Sequence, residues 1–153
     1  MPEIELALAE FRRLGVLMHT PTMLAALGAA WLQLGRFSEG VAAVDEGIER
    51  GRSTCSRWYE PELWTLRGRL LAAQGAAPEV VESAFEQALE VARSHGALSF
   101  ELRAAAARAD WLASRGRGGD ARATLAACHA RFREGADTAD LRQASELLAR
   151  LGA

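Results

Sequence analysis

The residues of this chain able to do chemistry are few and scattered. Its imidazoles are His19, His95 and His129, and its thiols are Cys55 and Cys128. Cys128 and His129 are adjacent, so on a helix they point about 100° apart and do not converge on one metal ion. No HxxxH, HExxH or CxxC spacing occurs, so neither a metal site nor a cofactor is expected. Cys55 lies between Arg52 and Arg57, and neighbouring cations lower a thiol's pKa. A nucleophile also needs a base held beside it, and no histidine stands near in sequence, which leaves a free cysteine as the simpler reading. Glu82, Glu86 and Glu90 recur every four residues and could pair for acid–base work, but such a stripe usually marks a helix face turned to water. Gly116-Arg117-Gly118-Gly119-Asp120 is glycine-rich enough to suit a phosphate, yet it lacks the lysine and the preceding strand of a P-loop. It reads as an inter-helix turn. No catalytic residue is expected, and the chain does not read as an enzyme.

Helical periodicity runs almost end to end. It predicts helices over about 3–17, 21–34, 37–51, 60–74, 78–94, 98–115, 119–133 and 138–151, with no strand-like alternation. Pro21, Pro61 and Pro78 stand at helix starts, where a missing N–H costs nothing. Thr20, Ser38, and Asp137 or Thr138 are candidate N-caps, and Gly35, Gly51, Gly75, Gly116 and Gly135 are candidate stops. The segment from Arg52 to Trp58 reads as a polar linker.

Spacing converts this series into an architecture. Gly35, Gly75 and Gly116 lie forty and forty-one residues apart, a period that signals stacked helix pairs, each burying its apolar face on its neighbours. Seven residues ahead of each glycine stands a small residue: Gly28, Gly68 and Ala109. Four ahead stands a large apolar one: Trp31, Leu71 and Leu112. In the following helices Val44, Phe85 and Leu125 share one apolar slot, and Gly47, Ala88 and Cys128 share the next close contact. The expected fold class is all-α, an α-solenoid of antiparallel helix pairs forming a single domain over 1–153. Its parts are an orphan helix at 3–17, repeats at 20–52, 59–96 and 98–134, and a capping helix at 137–151. Trp31 and Trp64 are expected in the core, whereas Trp58 and Trp111 are left between core and surface.

Half the residues are hydrophobic, a quarter are charged, and the formal net charge is −2. That balance is globular, and it argues against a nucleic-acid binder with its basic face. All eighteen basic residues are arginine, and lysine and asparagine are absent, a bias that GC-rich bacterial coding explains. No apolar run approaches the roughly 18 residues of a membrane span. No basic leader precedes an apolar stretch at the N-terminus, so no membrane contact is expected and the cytoplasm is the expected compartment.

Three stretches carry a family resemblance. Trp58-Tyr59-Glu60-Pro61-Glu62-Leu63 with Leu66-Arg67-Gly68 is the first, and the second runs from Ala84-Phe85-Glu86-Gln87-Ala88-Leu89 through Ala92-Arg93 to Phe100-Glu101-Leu102-Arg103-Ala104-Ala105. The third is Arg131-Phe132-Arg133-Glu134-Gly135 with Asp137-Thr138-Ala139-Asp140-Leu141. Together with the small residue inside each first helix, they resemble tetratricopeptide-like repeats. The long period resembles the C-terminal repeat region of bacterial multi-domain signalling ATPases and adenylate/guanylate cyclase-like regulators. The resemblance implies a non-catalytic protein–protein interaction module, a scaffold or adaptor in bacterial signal transduction or transcriptional regulation. Its alternative is a small-molecule sensor domain regulating a linked ATPase or nucleotidyl cyclase. The orphan helix either caps the array or marks this chain as the tail of a longer protein.

In such an array the first helix of each pair lines the inner face. Thr22, Ala25, Ala29 and Leu32 are expected there from the first repeat. Glu62, Thr65, Arg69 and Ala72 follow from the second, and Arg103, Ala106, Asp110 and Ala113 from the third. The partner-binding residues are then Glu62, Thr65, Arg69, Arg103, Ala106 and Asp110, with an unidentified protein or peptide as partner. Arginine suits a partner carboxylate through bidentate hydrogen bonds. The bland alternative is that Glu62 and Arg103 merely pair with each other across adjacent repeats. The amphipathic helix at 138–151 leaves a homodimer open.

Overall fold

A computed structural model of the chain describes residues 19–135 and 137–152, together with Leu6, Glu10 and Arg13. The helix expected at 3–17 lies almost entirely outside the described residues. Among those described, the protein is all-helical, with seven helices and no strand. They are α1 (Thr20–Gln33), α2 (Phe37–Ser53), α3 (Glu60–Gln74), α4 (Pro78–Ser94), α5 (Leu98–Ser114), α6 (Gly118–His129) and α7 (Ala139–Gly152).

Each helix packs on the next in sequence, with short turns folding the chain back on itself. A second set of contacts joins α1 to α3, α3 to α5 and α5 to α7. The even-numbered helices α2, α4 and α6 make no such contact with one another among the described residues. The helices therefore form two layers, and the odd layer is the more closely packed.

The turns within the pairs are built alike. Gly35, Gly75 and Gly116 adopt positive φ values of 71°, 78° and 77°, a conformation that glycine enters without a Cβ clash. The residue after each donates its N–H back to a helix carbonyl. Arg36 bonds Trp31 at 2.9 Å, Ala76 bonds Leu71 at 3.0 Å, and Arg117 bonds Leu112 at 3.0 Å. This is the Schellman closure, which satisfies carbonyls that a helix end would otherwise leave bare. Trp31, Leu71 and Leu112 thus serve twice, as buried apolar side chains and as backbone acceptors.

Small residues let the paired helices approach. A Cβ on Gly28 would stand 2.8 Å from Cγ1 of Val44, and one on Gly68 would stand 2.7–2.9 Å from three atoms of the Phe85 ring. Val44, Phe85 and Leu125 are fully buried in their shared slot. The largest apolar cluster joins Phe85, Ala88, Leu102, Ala105, Ala109, Leu112, Leu125, Leu141, Ala144 and Leu147 across α4 to α7. Leu148 and Leu151 pack against the same cluster, so the apolar side of α7 is covered within the chain.

Several local expectations are corrected. Gly51 does not stop α2, which runs on to Ser53; Gly51 is buried where a Cβ would come within 3.1 Å of the Ser56 carbonyl, so its smallness serves close packing. Helix α6 ends at His129, four residues short of expectation. There Arg131 and Phe132 tighten into bonds to the Cys128 and His129 carbonyls, and the Arg131 side chain turns to Glu101. Gly118 and Gly119 belong to the first turn of α6. Neither Thr20 nor Ser38 occupies a cap position: His19 and Arg36 do, without side-chain capping bonds. Trp31 and Trp111 are buried and Trp58 is 52% exposed, while Trp64 is only half-buried.

Candidate functional site: a cleft on the odd-helix layer

Glu62, Thr65 and Arg69 recur along α3 at helical spacing, as Arg103, Ala106 and Asp110 do along α5. That spacing puts each set on one face, and the contact between α3 and α5 brings the two faces side by side. All six residues line one cleft of about 550 Å³. Leu32 and Ala72 join them, whereas Thr22, Ala25, Ala29 and Ala113 do not. Apolar lining comes from Phe85, Leu102, Trp111 and Leu147.

Helix α7 supplies what sequence reasoning missed. Asp140, Gln143, Leu147 and Arg150 complete the lining, so the helix expected only to cap the array forms a wall of the cleft. The signal that could have found it is the amphipathic pattern of 138–151, whose buried side carries Leu141, Ala144 and Leu147.

The charges in the cleft are unequal in their partners. Arg103 donates from Nε to Oδ2 of Asp140 at 2.7 Å, while its approach to Glu62 Oε2 is 3.9 Å, too long for a hydrogen bond. Glu62 and Arg103 thus do form a loose ion pair between α3 and α5, but the guanidinium is shared with Asp140 and faces two carboxylates. Glu62 Oε2 is shut from solvent and has no hydrogen-bond partner. Burial pushes the Glu62 carboxyl above its ordinary pKa, with Asp140 adding to the rise and Arg103 and Arg69 only partly opposing it. At the other end, Asp110 meets Arg150 at 3.4 Å, a loose surface contact. Arg69 is exposed and has no ion-pair partner among the described residues. Thr65 is buried and donates to the Pro61 carbonyl at 2.9 Å.

The other reactive groups are placed apart from this cleft. Nε2 of His129 lies 2.9 Å from Oγ of Ser145, and the serine hydroxyl also reaches the Leu141 carbonyl. The hydroxyl thus has two acceptors within reach, the carbonyl and the imidazole, and the contact by itself assigns neither side chain a chemical role. His19 and His95 are exposed at helix ends. No group of metal-ligating side chains gathers among the described residues. Cys55 is exposed and Cys128 buried, both as free thiols; burial pushes the Cys128 thiol up to about 11. Glu82 does not lie on a solvated stripe. It accepts from Arg108 at 2.7 Å and from Arg117 at 2.9 Å, which ties α4 to α5 and to the turn before α6. Arg117 also bonds Asp120, so both of its partners are carboxylates of the protein itself. Glu86 and Glu90 are exposed.

No protein-family model matches the chain, and no curated protein matches it. No helix among the described residues is long and apolar enough to cross a membrane.

Proposed function

We propose that this chain is a protein-interaction module. In this reading it is a tetratricopeptide-like α-solenoid of about three forty-residue helix pairs that presents the odd-helix cleft to a segment of a partner protein. The role suits a scaffold or adaptor in bacterial signal transduction or transcriptional regulation, as the resemblance of its three sequence stretches implies. The observation that carries the reading is the convergence of Glu62, Thr65, Arg69, Arg103, Ala106 and Asp110 on one cleft. Two of these are left incompletely partnered, Glu62 at its buried oxygen and Arg69 at its exposed guanidinium. Of the two, the exposed Arg69 guanidinium is the one a carboxylate from outside the chain can pair with directly.

Photo-crosslinking tests this. A photoreactive residue at Ala106, in the cleft, should capture a defined polypeptide identified by mass spectrometry. The same residue at Glu86, on the exposed side of α4, should not, and Arg69→Glu should reduce capture at Ala106 while leaving the melting temperature unchanged. Equal capture at both positions would remove the cleft from the interaction. Arg69 is a cleaner probe than Arg103, whose ion pair with Asp140 joins α5 to α7.

A second reading, a small-molecule sensor, draws support from the cleft's volume. It falls within the roughly 300–1,000 Å³ typical of ligand pockets, and its apolar lining from Phe85, Leu102, Trp111 and Leu147 is matched by as many polar and charged groups. A concentration-dependent rise in melting temperature with one metabolite of a screened set would favour it; a flat response across the set would count against it.

A further inference from the structure

The geometry points to a bipolar ligand for the cleft: a short extended peptide segment carrying a basic side chain at the Glu62 end and a carboxylate at the Arg69 end. This rests on the reading of the cleft as a peptide site and adds the chemistry of its occupant. Two carboxylates, Glu62 and Asp140, share one guanidinium, Arg103, which leaves that end one negative charge in excess when all three are ionised. Asp110 and Arg150 cancel at the opposite end, and Arg69 leaves it one positive charge in excess. Glu62 is 18% exposed as a side chain, so the carboxylate is reached from the cleft although its Oε2 lacks a donor.

A row of aromatic rings that does not itself line the cleft adjoins the acidic end through Tyr59, which feels the charges of Glu62 and Arg103. Trp58 meets Tyr59 edge to face at 5.0 Å, and Tyr59 meets Phe100 at 5.5 Å. Trp58 is the exposed member of the row, and an indole face attracts guanidinium or ammonium groups. Glu62 and Arg69 are seven residues apart on α3, about 10 Å along the axis. An extended peptide covers that distance in about three residues, which sets the spacing between its basic and acidic groups. Bidentate pairing of arginine with a carboxylate then fixes the peptide's direction along the cleft.

Panning a library of fully random hexapeptides on the intact chain tests the inference. The expected winners carry one Arg or Lys and, about three positions away, one Asp or Glu. Resynthesised winners should lose about tenfold in affinity when either charge is replaced by Gln. On Glu62→Gln the penalty for removing the basic residue should vanish, and on Arg69→Gln the penalty for removing the acidic one. Melting curves of both variants verify that they fold; should either fail to fold, the charge-neutralised peptides on the unaltered chain carry the test. Winners that bind in the cleft regardless of charge would overturn the bipolar assignment while leaving the peptide site standing. No enrichment of any hexapeptide would overturn both.

Discussion

Nε of Arg93 donates to Oε1 of Glu101 at 2.7 Å, joining the last turn of α4 to the first turn of α5. Forty-one residues earlier, Nε of Arg52 donates to Oε1 of Glu60 at 2.9 Å, joining α2 to α3 in the same way. Both carboxylates are almost completely buried, at 2% for Glu60 and 3% for Glu101. Each accepts from a second arginine on its other oxygen, Arg57 at 2.6 Å and Arg131 at 2.5 Å. The same clamp therefore closes two successive boundaries between helix pairs. Its asymmetry matters, because the arginines remain half-exposed while the glutamates do not.

That asymmetry ranks the cost of breaking the clamp. Replacing Glu101 by Gln leaves Arg93 and Arg131 able to return to water, since they are 57% and 53% exposed. Replacing both arginines by Ala strands a buried carboxylate, which costs about 3–5 kcal/mol where it cannot be neutralised. Denaturant titration should find Arg93→Ala/Arg131→Ala less stable than Glu101→Gln. The reverse order would mean that the carboxylate is not buried as described.

Neighbouring residues on α3 should respond to pH in opposite directions. Burial alone would raise the Glu60 carboxyl, but hydrogen bonds from Arg57 and Arg52 more than offset it and hold it below its ordinary value. Its stabilising contribution is thus present above the unfolded pKa of about 4.3 and lost as pH falls through the lower folded value. Glu62 is raised by burial, so its protonated form favours the fold. That contribution is complete below the unfolded pKa and lost as pH rises through the folded one. Thermal melts at neutral pH should therefore show Glu60→Gln below the parent and Glu62→Gln above it. Both differences should shrink in acid; a Glu62→Gln variant that melts below the parent at neutral pH would contradict the assignment.

Glycine positions separate packing from turn geometry. Gly68→Ala drives a methyl group into the buried Phe85 ring, and overpacking of that kind costs about 1–3 kcal/mol. Gly119→Ala meets nothing within 4 Å and lies in the first turn of α6, where alanine should stabilise by roughly 0.4–1 kcal/mol. Chemical denaturation of the two variants should move their midpoints in opposite directions.

Thiol titration reads the two cysteines independently. Cys55 is exposed, whereas Cys128 is buried with its pKa pushed up to about 11. A disulfide reagent at mildly alkaline pH should modify one thiol per native chain and two after denaturation. Rapid reaction of both in the native chain would contradict the burial of Cys128.

The helix pairs were legible in sequence because small and large apolar residues return at one interval, as in Gly28/Trp31, Gly68/Leu71 and Ala109/Leu112. Side chains seven and four places before a turn face the partner helix, so the period records packing directly. The polar cleft residues followed from the same register. The clamps did not, because Arg52 with Glu60 and Arg93 with Glu101 span two helices and a linker, and exposed arginines in a chain with eighteen of them draw no notice. Glu82 was misread for a related reason: a four-residue acidic stripe says which face it lies on, but not that Arg108 and Arg117 reach it from other elements. The wall built by α7 escaped because the register was anchored on the turn glycines Gly35, Gly75 and Gly116 and was not carried past the third pair, although Gln143 and Arg150 stand forty residues after Arg103 and Asp110.

Where a bound partner segment touches the protein decides most directly whether the odd-helix cleft is its site. Amide chemical-shift mapping, with a panned hexapeptide titrated into isotope-labelled protein, locates that contact without disturbing any side chain. Shifts gathered at Glu62, Thr65, Arg69, Ala106, Asp110 and Gln143 are the predicted result. Shifts confined to the even-numbered helices, around Glu86 and Glu90, would contradict it.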